Sequence, residues 1–427
     1  MFLYVVEAGL QMEDTSFAVR TFAFLQVCRL WNEIGIGSPR LWVWLIPGTF
    51  NAWRLFKSRS KDAPLFLTWR TYLREPTQKI FTDTETPKRI RQLDFIGTRE
   101  DLEHILDGLD SRSTSITSSI RLRGTCHKNN GEHLTRFFSL SFPELSKLDI
   151  DTFLPDSASS ILITSNLTSL KINLAYNDDR RYTQSQFLQV LQQHPNLKQL
   201  DLTAGGFPSV ENSGGLTPVV LPHLIDLRLC GRDNVIGEFV DLVSMSSPLH
   251  NVVIDFKHNN PTAAELATTA KKLLTAYYGC KGLEHPRRAT HLTASSFLLQ
   301  DDLIISAKSP STSTSHPTYN IELRLRSAGN GLAQKIITLF PLKQVREYDT
   351  EGLRLIVDAW STTLRKMKGL LHLRLGGTDV SPALDALNLN NKGVYREGTW
   401  TMVSDHSHAH RRTGSNHYPQ AKIIVVL

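Results

Sequence analysis

The sequence predicts an α/β repeat fold, in which short parallel strands stack into one sheet and helices connect them. The first observation is an apolar pattern, L-x-x-L-x-L or a close variant, whose four clearest copies begin at Leu145, Leu167, Leu197 and Leu224. The second is that several intervals between copies carry apolar residues at helical spacing, as over 101–109, 185–193 and 236–244. A strand followed by a helix, repeated along the chain, is the pattern of a solenoid.

Composition agrees with a folded chain. The 427 residues are 41% hydrophobic and 21% charged, the balance of a globular protein with a core. No apolar run approaches the ~18 residues that cross a bilayer, and residues 1–6 do not resemble a signal peptide, so we expect a cytoplasmic or nuclear protein. The four cysteines form no C-x-x-C pair, and neither a disulfide framework nor a zinc site is predicted.

The formal net charge of +7 permits an acidic partner. Lysine and arginine are scattered, however, and no long basic run could follow a phosphate backbone. We therefore expect a solvated charged surface and no specific nucleic-acid binding, which stays a distant alternative.

Residues 1–46 predict a small helical unit rather than a repeat. Phe24, Val27, Cys28 and Trp31 are spaced so that they share one face of a helix, and Ile34 adds the next turn. The glycines and the proline that follow over 35–39 end the helix. On this pattern Cys28 is expected to be a buried, unreactive side chain.

The same segment resembles a known family. The run V-C-R-x-W over 27–31, then Ile34, then S-P-x-L-W over 38–42, resembles the second half of an F-box, especially the F-box-like domains abundant in mushroom-forming fungi. Residues 53–67 are similar to the linker helix and S-x-x-A-P-L-x-L strand that follow in that family. The resemblance covers roughly the first 70 residues, and it implies contact with a Skp-type adaptor of a cullin ubiquitin ligase. The implied adaptor-binding residues are Leu25, Val27, Cys28, Trp31, Ile34, Pro39, Leu41 and Trp42.

One feature departs from the family pattern. F-boxes of this type usually open with an L-P-x-E-[IL] helix, whereas this chain begins Met1-Phe2-Leu3-Tyr4-Val5, as though just inside that helix. We interpret the F-box as truncated at its first helix, which weighs against adaptor binding. An in-frame L-P-x-E segment upstream of Met1 would restore it.

From residue 90 onward the apolar pattern organises the chain. Its copies begin at 90, 117, 145, 167, 197, 224 and 249, and the steps between them vary from 22 to 30 residues. The pattern fades after 249, where 263–278 predicts a helix and 292–305 one or two strands, and it returns at 321 and 370. Such spacing is typical of an irregular leucine-rich repeat solenoid of about ten repeats, with a curved parallel sheet and helices on its convex side.

These observations divide the chain into four predicted segments. They are a partial F-box-like unit over 1–46, a linker and N-terminal cap over 47–89, the solenoid over 90–387, and a C-terminal cap or tail over 388–427. The tail contains alternating histidines at 406, 408 and 410, which could bind a metal if they shared one side of a strand. We favour a solvated loop and predict no metal site and no cofactor.

Motifs of catalysis are missing from the sequence. It contains no G-x-x-x-x-G-K-[ST], no G-x-S-x-G and no H-E-x-x-H. We therefore predict a protein that is not an enzyme.

The repeat pattern also predicts a binding surface. If the leucines point into the core, the residues between them line the opposite, concave face of the sheet. Their charges predict arginines at the two ends of this face and acids in its centre, as a surface for an unknown protein substrate. The substrate-binding candidates are Arg121, Arg123, Asp149, Asp151, Asp201, Asp226, Arg228, Asp255, Arg324, Arg326 and Arg374.

The leading hypothesis is thus a substrate receptor of a Skp-cullin-F-box type ubiquitin ligase. The alternative is a leucine-rich repeat scaffold that has lost its attachment to the ligase.

Overall fold

A computed structural model gives the fold in two compact units, Met1–Leu197 (unit 1) and Lys198–Leu427 (unit 2). The structure describes residues 27–45, 50–70, 85–98, 101–102, 109, 114–124, 136–151, 157–163, 165–174, 182–204, 207, 217–244, 249–256, 263–278, 291–297, 302–309, 319–325, 330–376, 380–391, 402–404 and 422–426. Leu25, Arg326 and the histidines of the tail lie outside these ranges.

Unit 1 contains six described strands, and every pair of neighbours is parallel. Their order in the sheet follows the chain, β1 to β6. The strands are β1 Trp44–Leu45, β2 Leu65–Arg70, β3 Ile90–Gly97, β4 Ser119–Gly124, β5 Lys147–Asp151 and β6 Ser169–Leu174. Since β1 pairs with β2 and β2 with β3, the sheet begins at Trp44, well before residue 90, where the solenoid was predicted to start.

The helices of unit 1 lie before, between and after these strands. They are Arg29–Gly37, the 3-10 helix Pro39–Trp42, Phe50–Ser60, Glu85–Lys88, Ser160–Ile163 and Gln184–Gln193. The last of them confirms the helix predicted over 185–193. Its start is fixed by a capping box, in which the Gln186 N–H donates to Thr183 Oγ1 at 3.2 Å and the Thr183 N–H donates to Gln186 Oε1 at 2.9 Å.

Unit 2 contains a ten-stranded sheet with the order β7-β9-β11-β14-β13-β12-β15-β16-β18-β17, and β8 pairs separately with β10. The first seven strands are β7 Gln199–Ala204, β8 Val219–Val220, β9 Asp226–Gly231, β10 Val243–Ser244, β11 Asn251–Phe256, β12 His291–Phe297 and β13 Asp302–Ser309. The remaining five are β14 Tyr319–Leu325, β15 Glu347–Glu351, β16 His372–Gly376, β17 Met402–Ser404 and β18 Lys422–Val426.

This sheet is only partly parallel, so the prediction of a curved parallel sheet is corrected for two of its strands. β13 runs antiparallel to both β12 and β14, and β18 runs antiparallel to both β16 and β17. The short connection over 298–301 explains the first reversal, because a parallel pair needs a crossover of a dozen or more residues. The prediction of one or two strands over 292–305 is confirmed as two.

The helices of unit 2 connect successive strands. They are Asp233–Leu242, Ala263–Tyr278, Asn330–Ile337, the 3-10 helix Leu342–Gln344, Val357–Lys366 and Ser381–Asn391. The helix predicted over 263–278 is confirmed with the same bounds. The one predicted over 236–244 begins earlier and ends at Leu242, because Val243–Ser244 pairs as a strand.

The frame of the apolar pattern is confirmed. Leu197, Leu200 and Leu202 are all buried, and the corresponding residues of the other clear copies are buried in the same way. In the four clear copies, the first residue lies just before the strand, and in this part of the repeats hydroxyl groups donate hydrogen bonds to the preceding repeat. Thr117 Oγ1 donates to the Ile90 carbonyl at 2.8 Å, for example. No helix in the described part of the chain is long and apolar enough to cross a membrane.

Candidate binding faces

In each unit, one side of the sheet carries the buried apolar side chains and the other carries polar ones, which we call the open face. The strand register sets which open-face residues are neighbours. In unit 1, one row across the strands runs Asp94, Arg121, Asp149 and Lys171, so the sign of the charge alternates from strand to strand.

Ion pairs between neighbouring strands order this face. Arg121 Nε donates to Asp149 Oδ2 at 2.9 Å, and Arg70 Nη2 lies 3.6 Å from Asp94 Oδ2. A guanidinium held by a carboxylate on the next strand loses much of its rotamer freedom before any partner arrives. The face is therefore preorganised, which reduces the entropic cost of binding.

Asp94 is the most enclosed acid of this face. Burial raises the pKa of Asp94, while the charges of Arg70, Arg121 and Arg123 oppose that shift and Asp149 adds to it slightly. The alternation of buried and open residues that predicted the other open-face residues also places Asp94 there, since it lies between the buried Leu93 and Phe95. The sequence analysis did not single it out.

The open face of unit 2 also pairs polar groups across strands. Gln199 Nε2 donates to Asp226 Oδ2 at 2.9 Å, and the Cys230 thiol lies 3.4 Å from Asp255 Oδ2. Asp201 lies beside Arg228 in register. Further along the sheet, Arg324 pairs with Glu322 on the same strand, and Arg374 Nη1 lies 4.0 Å from Asp349 Oδ2.

A small recess lies on unit 2 at β12, β15 and β16. Its volume is about 80 Å³, and its lining residues are Leu292, Thr293, Glu347, Tyr348, Asp349, His372 and Arg374. Glu347, Asp349 and His372 were missed by the sequence analysis. The sequence did contain a signal for this repeat, because Val345, Tyr348 and Thr350 have the spacing of the apolar pattern and are all buried. It was missed because only Val345 is aliphatic.

All ten predicted substrate-binding residues with described side chains lie on the open faces, half-buried or exposed. The expected grouping of acids in the centre and arginines at the ends spans both units and stays a prediction. Within each unit, strand register places several acids beside cations, as with Asp149 between Arg121 and Lys171. Single strands read in sequence cannot show this, because the neighbours come from different repeats.

The N-terminal residues fall into two groups. Leu41 and Trp42 are buried; the indole N–H of Trp42 donates to the Gly35 carbonyl at 2.8 Å, and the Arg59 guanidinium lies 4.5 Å from the ring centroid. Side chains enclosed in this way support the fold, and the assignment of both residues as adaptor contacts stays a prediction. Pro39 is half-buried.

The second group is exposed. Val27, Trp31 and Ile34 lie at the surface, and Cys28 precedes the helix instead of packing within it, so the prediction of a buried thiol is wrong. Apolar spacing shows which residues share a side of a helix, but it does not show whether another element covers that side.

No cluster of three His, Cys, Asp or Glu side chains suited to a metal ion occurs among the described residues. Compared with known proteins, the chain matches no family model, and no curated protein matches it.

Proposed function

We propose that this chain is a protein-recognition subunit, a leucine-rich repeat solenoid joined to an F-box-like N-terminal unit, that presents a protein substrate to a Skp-cullin-F-box type ubiquitin ligase in the cytoplasm or nucleus. The observation that carries the proposal is the pair of open sheet faces, whose charged side chains are ordered by contacts between strands. Such extended polar surfaces suit recognition of another protein, and no enzymatic role is proposed.

The exposed apolar side of the helix Arg29–Gly37 supports the attachment to an adaptor. Val27 is 63% exposed, Leu30 61% and Ile34 49%. Apolar side chains grouped on one exposed surface often mark a protein interface. The F-box resemblance covers the same segment, so an adaptor is the partner proposed for it.

A pull-down with a purified Skp-type adaptor tests this attachment. The double substitution Leu30→Asp and Ile34→Asp should lower adaptor recovery at least about tenfold, because two charges would be desolvated in the interface. Ile356→Asp is the matched control, since Ile356 is equally apolar and 69% exposed but lies in unit 2. Recovery should be unchanged in this control.

The scaffold alternative predicts a different outcome of the same experiment. If the unmodified chain recovers no adaptor, the ligase attachment is wrong, and a repeat scaffold without a ligase becomes the better proposal. Trp42→Ala is unsuited to this test, because the loss of a buried indole would lower stability and binding together.

A further inference from the structure

The open face of unit 1 carries an excess of positive charge. Apart from Arg91, which lies at the irregularity of β3, five cations stand against three acids on strands β2 to β6, which leaves two positive charges. The cations are Arg70, Arg121, Arg123, Lys147 and Lys171, and the acids are Asp94, Asp149 and Asp151. A surface of this kind attracts an anionic partner.

Arg121 is the best placed of these cations. Its Nε donates to Asp149, and this is the only hydrogen bond that its guanidinium makes within the described part of the chain. Both terminal Nη groups are thus left for a ligand, on a side chain that is exposed yet oriented by Asp149. A fixed guanidinium with two open N–H groups is the geometry that binds a carboxylate in bidentate fashion.

Lys147 adds a second open cation nearby. It is exposed on β5, one strand from Arg121, and its ammonium group has no ion pair or hydrogen bond with any described residue. Neighbouring strands lie about 5 Å apart, and alternate residues of a strand about 7 Å apart, so both cations can reach one extended segment.

The acids on the same face decide which anion fits. Asp149 lies between Arg121 and Lys171, Asp151 lies beside Arg123, and Asp94 lies beside Arg121. A nucleic-acid backbone carries a phosphate at every nucleotide and would bring some of its charges against these carboxylates. A peptide that alternates acidic with uncharged side chains can place its carboxylates at the cations only.

We infer that the open face of unit 1 binds an acidic peptide segment, with Arg121 and Lys147 holding its carboxylates. This inference rests on the proposed recognition function and names the class of segment that unit 1 recognises. The adaptor-binding helix takes no part in it, so the two claims can fail separately.

Unit 2 supplies a matched control. Its open face holds six acids with described side chains against four cations: Asp201, Asp226, Asp255, Glu322, Glu347 and Asp349, against Arg228, Lys308, Arg324 and Arg374. Arg228 is exposed like Arg121 and its guanidinium has no ion pair or hydrogen bond with a described residue, but it neighbours Asp201. Removing its charge should not weaken the binding of an acidic peptide.

The test is fluorescence anisotropy with a labelled peptide of alternating Glu and Ser, about ten residues long, which is enough to span β2 to β6 in extended form. At ~0.15 M salt, Arg121→Gln should raise the Kd of the full chain about tenfold, and Lys147→Gln should raise it about threefold. Arg228→Gln should leave it unchanged. The Lys147 side chain has no partner among the described residues, so its variant reports on binding even if Arg121→Gln lowers stability.

Three outcomes would overturn the inference. The first is that the Glu-Ser peptide shows no measurable binding. The second is that Arg121→Gln and Arg228→Gln change its Kd equally. The third is that single-stranded oligothymidylate, or a Lys-Ser peptide of the same length, binds more tightly than the Glu-Ser peptide. If the peptide does not bind while the adaptor is still recovered, the attachment to the ligase stands and only the acidic segment is wrong.

Discussion

Leu200→Ala is expected to lower the free energy of unfolding by about 2 to 5 kcal/mol, because it removes buried methyl groups and leaves a cavity. Leu200 is 1% exposed on β7 and lies beside the buried Leu227 in register. Its surroundings are held by the strand pairing and cannot collapse fully around the smaller side chain. Urea titration followed by circular dichroism measures the loss.

Asp201→Arg, at the adjacent position, is the control. Asp201 lies half-buried on the open face, where we expect at most about 1 kcal/mol of destabilisation from the new arginine beside Arg228. The opposite result would be a protein that Asp201→Arg unfolds and that Leu200→Ala leaves folded. It would mean that the strand frame is shifted by one residue, which exchanges the buried and open faces.

The second large effect depends on pH and comes from His194. This residue follows the helix Gln184–Gln193 and is 0% exposed. Burial lowers the pKa of His194 to about 4, and the backbone of Leu162 opposes that shift only in part. As the pH falls, His194 of the unfolded chain therefore takes up a proton near the ordinary histidine pKa of about 6.5. In the folded chain the same imidazole takes up a proton only near pH 4.

His194 therefore leaves the free energy of unfolding at its full value above about pH 6.5. As the pH falls towards 4, proton uptake by the unfolded chain lowers that free energy. One pKa unit corresponds to about 1.4 kcal/mol, so the full loss is about 3 kcal/mol. His194→Leu carries no titrating group at this position. Between about pH 7.5 and 4.5, the wild-type chain should lose about 2 to 3 kcal/mol more stability than this variant. Equal losses would show that the imidazole is solvated in the folded chain.

Asp94 contributes to the pH dependence with the opposite sign. Because burial raises its pKa, the folded chain takes up a proton at this carboxyl before the unfolded chain does, and this favours folding as the pH falls. The contribution of Asp94 to the pH dependence of stability cancels when wild type is compared with His194→Leu, since Asp94 is present in both.

The strands with aliphatic patterns could be predicted from the sequence because burial imposes a strict spacing on them. Leu145, Leu167, Leu197 and Leu224 each precede a strand whose buried and open positions were assigned correctly. The spacing is a local property of the chain and needs no knowledge of which strands are neighbours.

Strand neighbours and direction could not be predicted in the same way. Alternation of buried and open residues is the same in parallel and antiparallel strands, so β13 and β18 gave no sign of their reversed direction. Ion pairs such as Arg121 with Asp149 join residues from different repeats and depend on register. For the same reason, the alternation of charge on the open faces became visible only in the structure.

Photo-crosslinking tests the central claim, that the open faces are the surfaces which bind a protein partner. A photoreactive amino acid replaces Ser119 or Val253 on the open faces, or the exposed Gln189 or Lys271 on helices of the same units. In cells that express the chain, the open-face positions should crosslink one discrete partner protein, and the helix positions should not. Crosslinks of that partner from Gln189 and Lys271, with none from Ser119 and Val253, would contradict the account.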